Sequence, residues 1–569
     1  MSKNHRLSKL AALVLTVAAL TGGVVYFALA QQDDAITIDR NITSNDLVRQ
    51  MTIGWNLGNT LDAYFSGNPG VPIHWANNLN NTPAIEAAWL GGVANRTTQS
   101  LIDAIYNAGF NTIRIPVSWH KAISGTIHYA QPGDPGHRTG VNQVYNRRIT
   151  FDDGYPIDPR WLAHVQSIVD MAYSRGMFVI LNTHHDEYIF RLGNADDEAG
   201  LAYRARGNAA VEYVWTQIAT HFQNYGERLV FATLNEPRHR NAWPAGGWDW
   251  TGSDFARESV NIFNQTAVNT IRETGGNNSY RHIMFPTYAA QGHNGQLNAF
   301  RLPTDPARPG DNSKLILSVH IYSPHNWAHD GWISPPWTPG PTIPINRDEP
   351  SFTDDHKNQI STDLTRVANR AAALGVPVIM GEWGTLYRHN LQDRIDHAYE
   401  FVRTATALES RTPNPVVMRT VVWDDHGTSA TGLGFRLVNR QAPHISENAR
   451  QIILAMILGR WGGIPCAVCR VYPSTCPTVY ATPHSHAPVV ALPGHRAEFE
   501  VSVTNAPPGR HYFAHPSPPG TPGINIAWQQ RNLPIDNLPD WVQVSGYIDV
   551  AQNGSGTGTM VLTVVEPSP

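Results

Sequence analysis

The sequence predicts an α/β chain: a (β/α)8 TIM barrel followed by a small all-β C-terminal domain. Three observations carry that prediction. Short apolar runs of strand length recur between Met51 and Gly463, at Ile53–Leu57, Thr112–Val117, Phe178–His184, Leu229–Leu234, His282–Tyr288, Leu315–Tyr322, Val376–Glu382 and Val416–Trp423. Helical patterns separate most of them: Leu101, Ile102 and Ile105 lie at helical spacing in Thr98–Asn107, and Trp161–Arg175, Val211–Tyr225 and Asp363–Ala373 behave likewise. Nearly every run ends in polar side chains, namely Asn56, Arg114, His184-His185, Asn235-Glu236, His320 with Tyr322, Glu382, and Trp423-Asp424-Asp425. Periodicity alone leaves a doubly wound open sheet nearly as good. The placement of the polar residues separates the two, because a barrel brings all its strand C-termini to one mouth.

In chain order, the first element is a secretory signal at 1–30. Lys3, Arg6 and Lys9 precede an apolar run from Leu10 to Leu20 that continues to Ala30, and Ala28-Leu29-Ala30 is a small-x-small cleavage site. Cleavage after Ala30 is expected, giving a secreted protein with no membrane association. An uncleaved anchor is the competing reading, since the apolar stretch approaches spanning length. Residues 31–50 read as a polar lead-in and 51–463 as the barrel domain. Residues 464–487 are rich in Pro, Ser and Thr and read as a linker. Its Cys466, Cys469 and Cys476 are the only cysteines; they allow one disulfide and one leftover thiol, and their spacing with His484 and His486 fits no standard zinc site. In 488–569, alternation over Glu498–Val503, Gly523–Gln529, Trp541–Val550 and Thr557–Val565 reads as a β-rich accessory domain.

Composition sets the class of partner. The 569 residues are 41% hydrophobic and 15% charged, which marks a globular chain too long for one ordinary domain. A formal charge of −4 argues against nucleic acid as the main partner and suits a neutral polymer. The barrel is large enough to be stable alone, so a monomer is expected.

Two carboxylates stand out. Glu236 ends the fourth run in Leu234-Asn235-Glu236-Pro237, where Pro237 stops the strand. Glu382 ends the seventh in Ile379-Met380-Gly381-Glu382, where burial is costly unless the group is paired or functional. Two carboxyl groups flanking one acetal bond are what glycoside cleavage requires: one donates a proton, the other attacks or activates water. Arg114 suits holding a carboxylate ionised, His184 and His320 donating to sugar hydroxyls or a carboxylate, Tyr322 bonding the nucleophile, and Trp423 stacking on a pyranose. Trp243, Trp248, Trp250, Trp327, Trp332 and Trp337 in Pro/Gly-rich loops suit subsites along a glycan cleft.

These motifs resemble glycoside hydrolase family 5, in the clan of (β/α)8 retaining glycosidases, and within it the bacterial endoglucanase branch. The resemblance covers about residues 45–462. It is carried by Gly54-Trp55-Asn56-Leu57-Gly58-Asn59-Thr60-Leu61-Asp62, Leu181-Asn182-Thr183-His184-His185-Asp186, His320-Ile321-Tyr322-Ser323-Pro324 and Gly381-Glu382-Trp383-Gly384. It implies Glu236 as acid/base and Glu382 as nucleophile. Arg114, His184, Asn235, His320, Tyr322 and Trp423 complete the implied site, with His185 and Asn56 touching sugar at neighbouring subsites. The implied activity is a retaining endo-β-1,4-glucanase, or cellulase, that needs no metal or organic cofactor. Its carboxyl groups are expected about 5 Å apart, with Glu236 raised in pKa so that it starts protonated. Xyloglucan, mixed-linkage β-glucan and mannan are alternative substrates. A non-catalytic glycan-binding protein is the alternative from another class, and the presence of both carboxylates argues against it. One departure stands at Trp423-Asp424-Asp425-His426-Gly427, where the branch often has Asn-Gly after the first Asp.

Overall fold

A computed structural model describes residues 38–63, 82–123, 156–239, 249–329, 351–387, 390–427, 434–441 and 443–460, and the backbone of short strands elsewhere. The signal segment, the cysteines and Trp243, Trp248, Trp332, Trp337, Trp528 and Trp541 lie outside the described residues.

Eight parallel strands close into a barrel in sequence order. They are β1 Ile53–Asn56, β2 Phe110–Ile115, β3 Phe178–Asn182, β4 Leu229–Ala232, β5 Ile283–Gln291, β6 Leu315–His320, β7 Val378–Trp383 and β8 Met418–Val422. Closure is made where β1 pairs with β8, Gly54 opposite Val421. Each apolar run of the sequence is one of these strands. Most runs extend past the observed strand at the C-terminal end, because those residues leave the ladder to build the mouth.

Two hydrophobic layers follow from the period of two in a strand. One set of side chains faces the surrounding helices, among them Val179, Leu181, Leu229, Phe231, Leu315, Leu317, Val378 and Met380. The alternate set fills the barrel: Phe178, Ile180, Val230, Ala232, Met284, Ile316, Ile379, Val417 and Val421. Ile42, Leu47, Val48 and Met51 join this inner cluster. They come from helix Ser44–Gln50 and its flanks, N-capped by Thr43, whose side chain accepts from Asp46 N–H. The segment 31–50, read as a polar lead-in, therefore contributes an amphipathic plug. Its polar face obscured the buried Leu47 and Val48.

Helices Gln99–Asn107 and Pro159–Ser174 match their predicted positions. Two others start earlier than predicted, at Glu198–His221 and Asp354–Leu374. Their opening turns, Glu198-Ala199-Gly200-Leu201 and Asp354-Asp355-His356-Lys357, bury no large apolar side chain, so they show no apolar period; caps start them instead. Asp197 accepts from Gly200 N–H, and Thr353 with His356 forms a capping box.

Beyond the barrel domain, a five-stranded antiparallel sheet runs in the order Thr478–Pro483, Arg496–Thr504, Gly556–Val564, Val542–Val550, Gly509–His515. Its first strand lies inside the segment read as linker, and Gly509–His515 is a strand where none was expected. Gly523–Gln529 lies outside the described residues. Among the described residues no helix is long and apolar enough to cross a membrane.

Candidate active site

The C-terminal ends of the strands bring a polar network together around one arginine. Arg114 on β2 is buried, and its guanidinium donates from Nη1 to Glu382 Oε1 at 2.9 Å and to Asn56 Oδ1 at 2.9 Å. Nη2 donates to Asn235 Oδ1 at 2.6 Å. Charge-assisted bonds of this kind fix both partners in orientation. The second oxygen of Glu382 accepts from the Tyr322 hydroxyl at 3.0 Å. Burial, then Glu382 and Glu236, push the Tyr322 phenol well above its usual range, so it stays a donor.

Glu236 faces Glu382 across His320. His320 Nδ1 lies 2.9 Å from Glu236 Oε1 and 3.5 Å from Glu382 Oε2. A carboxylate oxygen of each glutamate lies within 4.8 Å of one of the other. Gly381 makes room for this approach: a Cβ there would sit 2.8 Å from His320 Nε2. The register of β6 against β7 also shifts at His320, which aims the ring at the mouth.

A third group works on Glu236. Arg238 Nη1 donates to Glu236 Oε2, and the Arg238 guanidinium lies 4.1 Å over the Trp250 ring. Burial pushes the Glu236 carboxyl up, but Arg238 and His320 outweigh it and hold the group below the usual carboxylate range. The expectation that Glu236 starts with a raised pKa is therefore reversed in this arrangement. Arg238, two residues past Glu236, went unread in the sequence; its proximity to Glu236 was the available signal.

His184 lies at the centre of a second cluster. Its Nε2 is 3.4 Å from Asn235 Nδ2 and its Nδ1 is 3.2 Å from Asn182 Nδ2. Its ring stacks on Trp423 with centroids 5.9 Å apart and planes 7° from parallel. Burial, then the nearby His185 and Arg114, hold His184 well below the usual histidine range, so the ring is neutral. Trp423 can lie where it does because Gly58 has no side chain; a Cβ there would be 2.7 Å from the Trp423 ring. His185 packs edge-on against His184 at 4.4 Å and lies tilted against Trp89 at 5.8 Å, which places a further ring at the mouth.

Asn56 is placed differently from expectation. It has no exposed surface, and its Nδ2 donates to the carbonyls of Gly381, Val421 and Val422 while Oδ1 accepts from Arg114. It holds Arg114 from below and does not reach sugar. Asp424 is likewise fully buried, accepting from Trp55 Nε1 and from Leu437 and Val438 N–H, and so orders the loop after β8. Of the loop tryptophans, Trp327 is buried against Phe352 and His397, while Trp250 is 47% exposed at the mouth.

Two trios bring ligand-type atoms close enough for a cation: Asp62-His184-His185 and Glu236-His320-Glu382. Both are already engaged. Asp62 accepts from the backbone of Asn59 and Thr60, and Arg114 and Arg238 bring two positive charges to the glutamates. The set that remains is a pair of close carboxylates with one oriented hydroxyl, two imidazoles and an aromatic platform. Chemically it can protonate a leaving oxygen, supply a carboxylate to an electron-poor carbon and stack a sugar ring.

Comparison with known proteins places the chain in a family. Residues 68–410 match the family model for cellulase (glycosyl hydrolase family 5). Endoglucanase B of Clostridium cellulovorans is 33% identical over 75% of this chain and 78% of its own length. Endoglucanase 1 of Ruminococcus albus is 32% identical over 72% and 79%. Among solved structures, a broad-specificity endoglucanase from Ruminococcus champanellensis with bound cellotriose superposes with a TM-score of 0.55 at 32% identity, over 74% of this chain and all of that one. A lichenase from Caldicellulosiruptor sp. F32 gives 0.57 at 30% identity, over 75% and 97%.

Proposed function

This chain belongs to glycosyl hydrolase family 5 and is a glycoside hydrolase, and we propose that it is a secreted, retaining endo-β-1,4-glucanase. One observation carries the mechanism: oxygens of Glu236 and Glu382 lie within 4.8 Å of one another. Retaining pairs stand about 5–5.5 Å apart, whereas inverting pairs leave about 6.5–9.5 Å for a water. The proposed roles follow. Glu382, ionised and aimed by Arg114 and Tyr322, attacks the anomeric carbon as the glycosidic bond breaks. Glu236 gives its proton to the departing oxygen. In the second step Glu236 takes a proton from water, which attacks the same carbon and frees Glu382. Asn235 bonds a sugar hydroxyl beside the scissile bond, and Trp423, with its ring flat against His184, is the platform for a pyranose.

The same reading covers the rest of the chain. Residues 1–30 are a leader removed after Ala30, 464–487 bear the cysteine cluster and the first strand of the accessory β domain, 488–569 carry the rest of that domain, and the protein is a monomer. Relatives described with cellotriose, or as lichenase or broad-specificity endoglucanase, support β-glucan as the substrate class. The test is reducing-end release from carboxymethylcellulose, barley β-glucan, xyloglucan, glucomannan and xylan, with wild type and Glu382→Gln side by side. Wild type is expected to cut the glucans and the variant none of them. A folded wild-type protein that cuts no member of the panel sinks the proposal and makes glycan binding the next assay.

A further inference from the structure

Arg238 is bonded to one carboxylate, Glu236, and its charge acts on a second, Glu187. It donates to Glu236, rests on the Trp250 ring, and only 9% of its side chain is exposed. Glu187, in the turn after β3, feels the same guanidinium. Its Oε1 is buried with no hydrogen-bond partner among the described residues. Burial pushes the Glu187 carboxyl up to about 7, and Arg238 is the foremost charge pulling it back. An ionised carboxylate so placed is costly until a cation reaches it. Meanwhile the Arg238–Glu236 bond keeps ionised the group that must carry a proton into the first step. That bond suits a base and opposes an acid.

We propose that Arg238 is a movable positioning residue: it clamps Glu236 as a carboxylate in the empty site, and passes to Glu187 when a glycosidic oxygen takes its place on Glu236. The inference rests on Glu236 being the acid/base. Arg238 makes and breaks only hydrogen bonds and keeps its proton throughout. Glu236 draws its proton from solvent as Arg238 leaves, then gives it to the departing oxygen. Arg238 returns once product has gone. Other charged groups face these carboxylates. His320 from β6 and Glu382 from β7 face Glu236, and Asp186 on the same turn faces Glu187. His185 also faces Arg238, but burial, then Arg238 itself, hold it down at about 3, so it stays neutral while Glu187 and Glu236 exchange the cation.

The experiment compares pH profiles of kcat and kcat/KM on a soluble β-glucan for wild type, Arg238→Met and Glu187→Gln. The alkaline limb of kcat/KM reports the acid in the free enzyme, and that of kcat reports it in the substrate complex. In wild type the kcat limb is expected above the kcat/KM limb. Arg238→Met is expected to raise the kcat/KM limb by about 1–3 pH units and close the gap, since an opposite charge at contact lowers a carboxyl by that much. Glu187→Gln removes the second berth, so its kcat limb is expected to drop toward the kcat/KM limb, with kcat at neutral pH down roughly tenfold for each pH unit of displacement. Limbs that stay at their wild-type positions in folded variants, or that move in the same direction in both, overturn the proposal. If Arg238→Met does not fold, the near-isosteric Glu187→Gln decides alone. The underlying assignment is checked separately with Glu236→Ala, dinitrophenyl cellobioside and azide. Formation of β-cellobiosyl azide upholds Glu236 as acid/base; its absence removes that assignment and the clamp with it.

Discussion

Arg114 is the residue on which the site's geometry converges, and Asn56 is what holds it. Asn56→Ala removes an acceptor from Arg114 and a donor from three backbone carbonyls in the barrel interior. Leaving buried polar groups short costs about 1–3 kcal/mol. Because Asn56 has no exposed surface, its loss is expected to lower kcat with KM little changed. Steady-state kinetics checks this; a raised KM at unchanged kcat contradicts it. The sequence placed both glutamates, Arg114, His320 and Tyr322 at one mouth, because strand ends reveal which residues converge. It did not reveal that Asn56 faces inward beneath Arg114, since a strand pattern gives a face and not a depth. Arg238 and Glu187 went unread for another reason: they lie in turns, where no period links their positions.

Among the elements, the strands were legible and parts of the helices were not. Buried parallel strands read as continuous apolar runs. The first turns of Glu198–His221 and Asp354–Leu374 are held by caps and face solvent, so periodicity misses them. Helix Ser44–Gln50 is short and polar on one side, yet Leu47 within it is fully buried in the barrel floor. Leu47→Ala is expected to cost about 2–5 kcal/mol in denaturant unfolding, as large-to-small core changes do, and to leave kcat as it was. The β1 turn makes a complementary prediction at the mouth. Gly58→Ala puts a methyl 2.7 Å from the Trp423 ring and forces that ring off its stack with His184. A raised KM for β-glucan, with a changed tryptophan emission, is the expected result; unchanged values of both contradict the platform.

For the whole molecule, closure of the barrel is tied by charge at the end opposite the mouth. Glu409 accepts from Arg49 Nε at 2.6 Å and from Arg419 Nη2 at 2.8 Å, linking the plug helix to β8. Burial pushes the Glu409 carboxyl up, but Arg419 and Arg460 outweigh it and bring it down to about 2. A depressed carboxyl stabilises the fold above its unfolded pKa, and that stability is lost as pH falls from the ordinary glutamate range toward about 2. The contribution is roughly 3 kcal/mol at neutral pH. Unfolding midpoints of wild type and Glu409→Gln at pH 7 and pH 3 check this: the gap between the two proteins is expected to shrink at the lower pH. The barrel class was legible in the sequence because seven of the eight runs end in polar side chains, and one shared mouth accounts for them. The floor was not, because the ion pair that ties the plug helix to it, Arg49 with Glu409, joins residues 360 positions apart.

In the proposed mechanism Glu382 attacks the anomeric carbon and Glu236 serves as its acid/base. An activated 2-deoxy-2-fluoro cellobioside slows both steps, and its good leaving group lets the covalent intermediate accumulate. Mass spectrometry of the protein incubated with it, followed by peptide mapping, is the most direct test. One fluoroglycosyl adduct is expected, on the peptide holding Glu382. A folded protein that gains no adduct, or carries it on another residue, contradicts this mechanism.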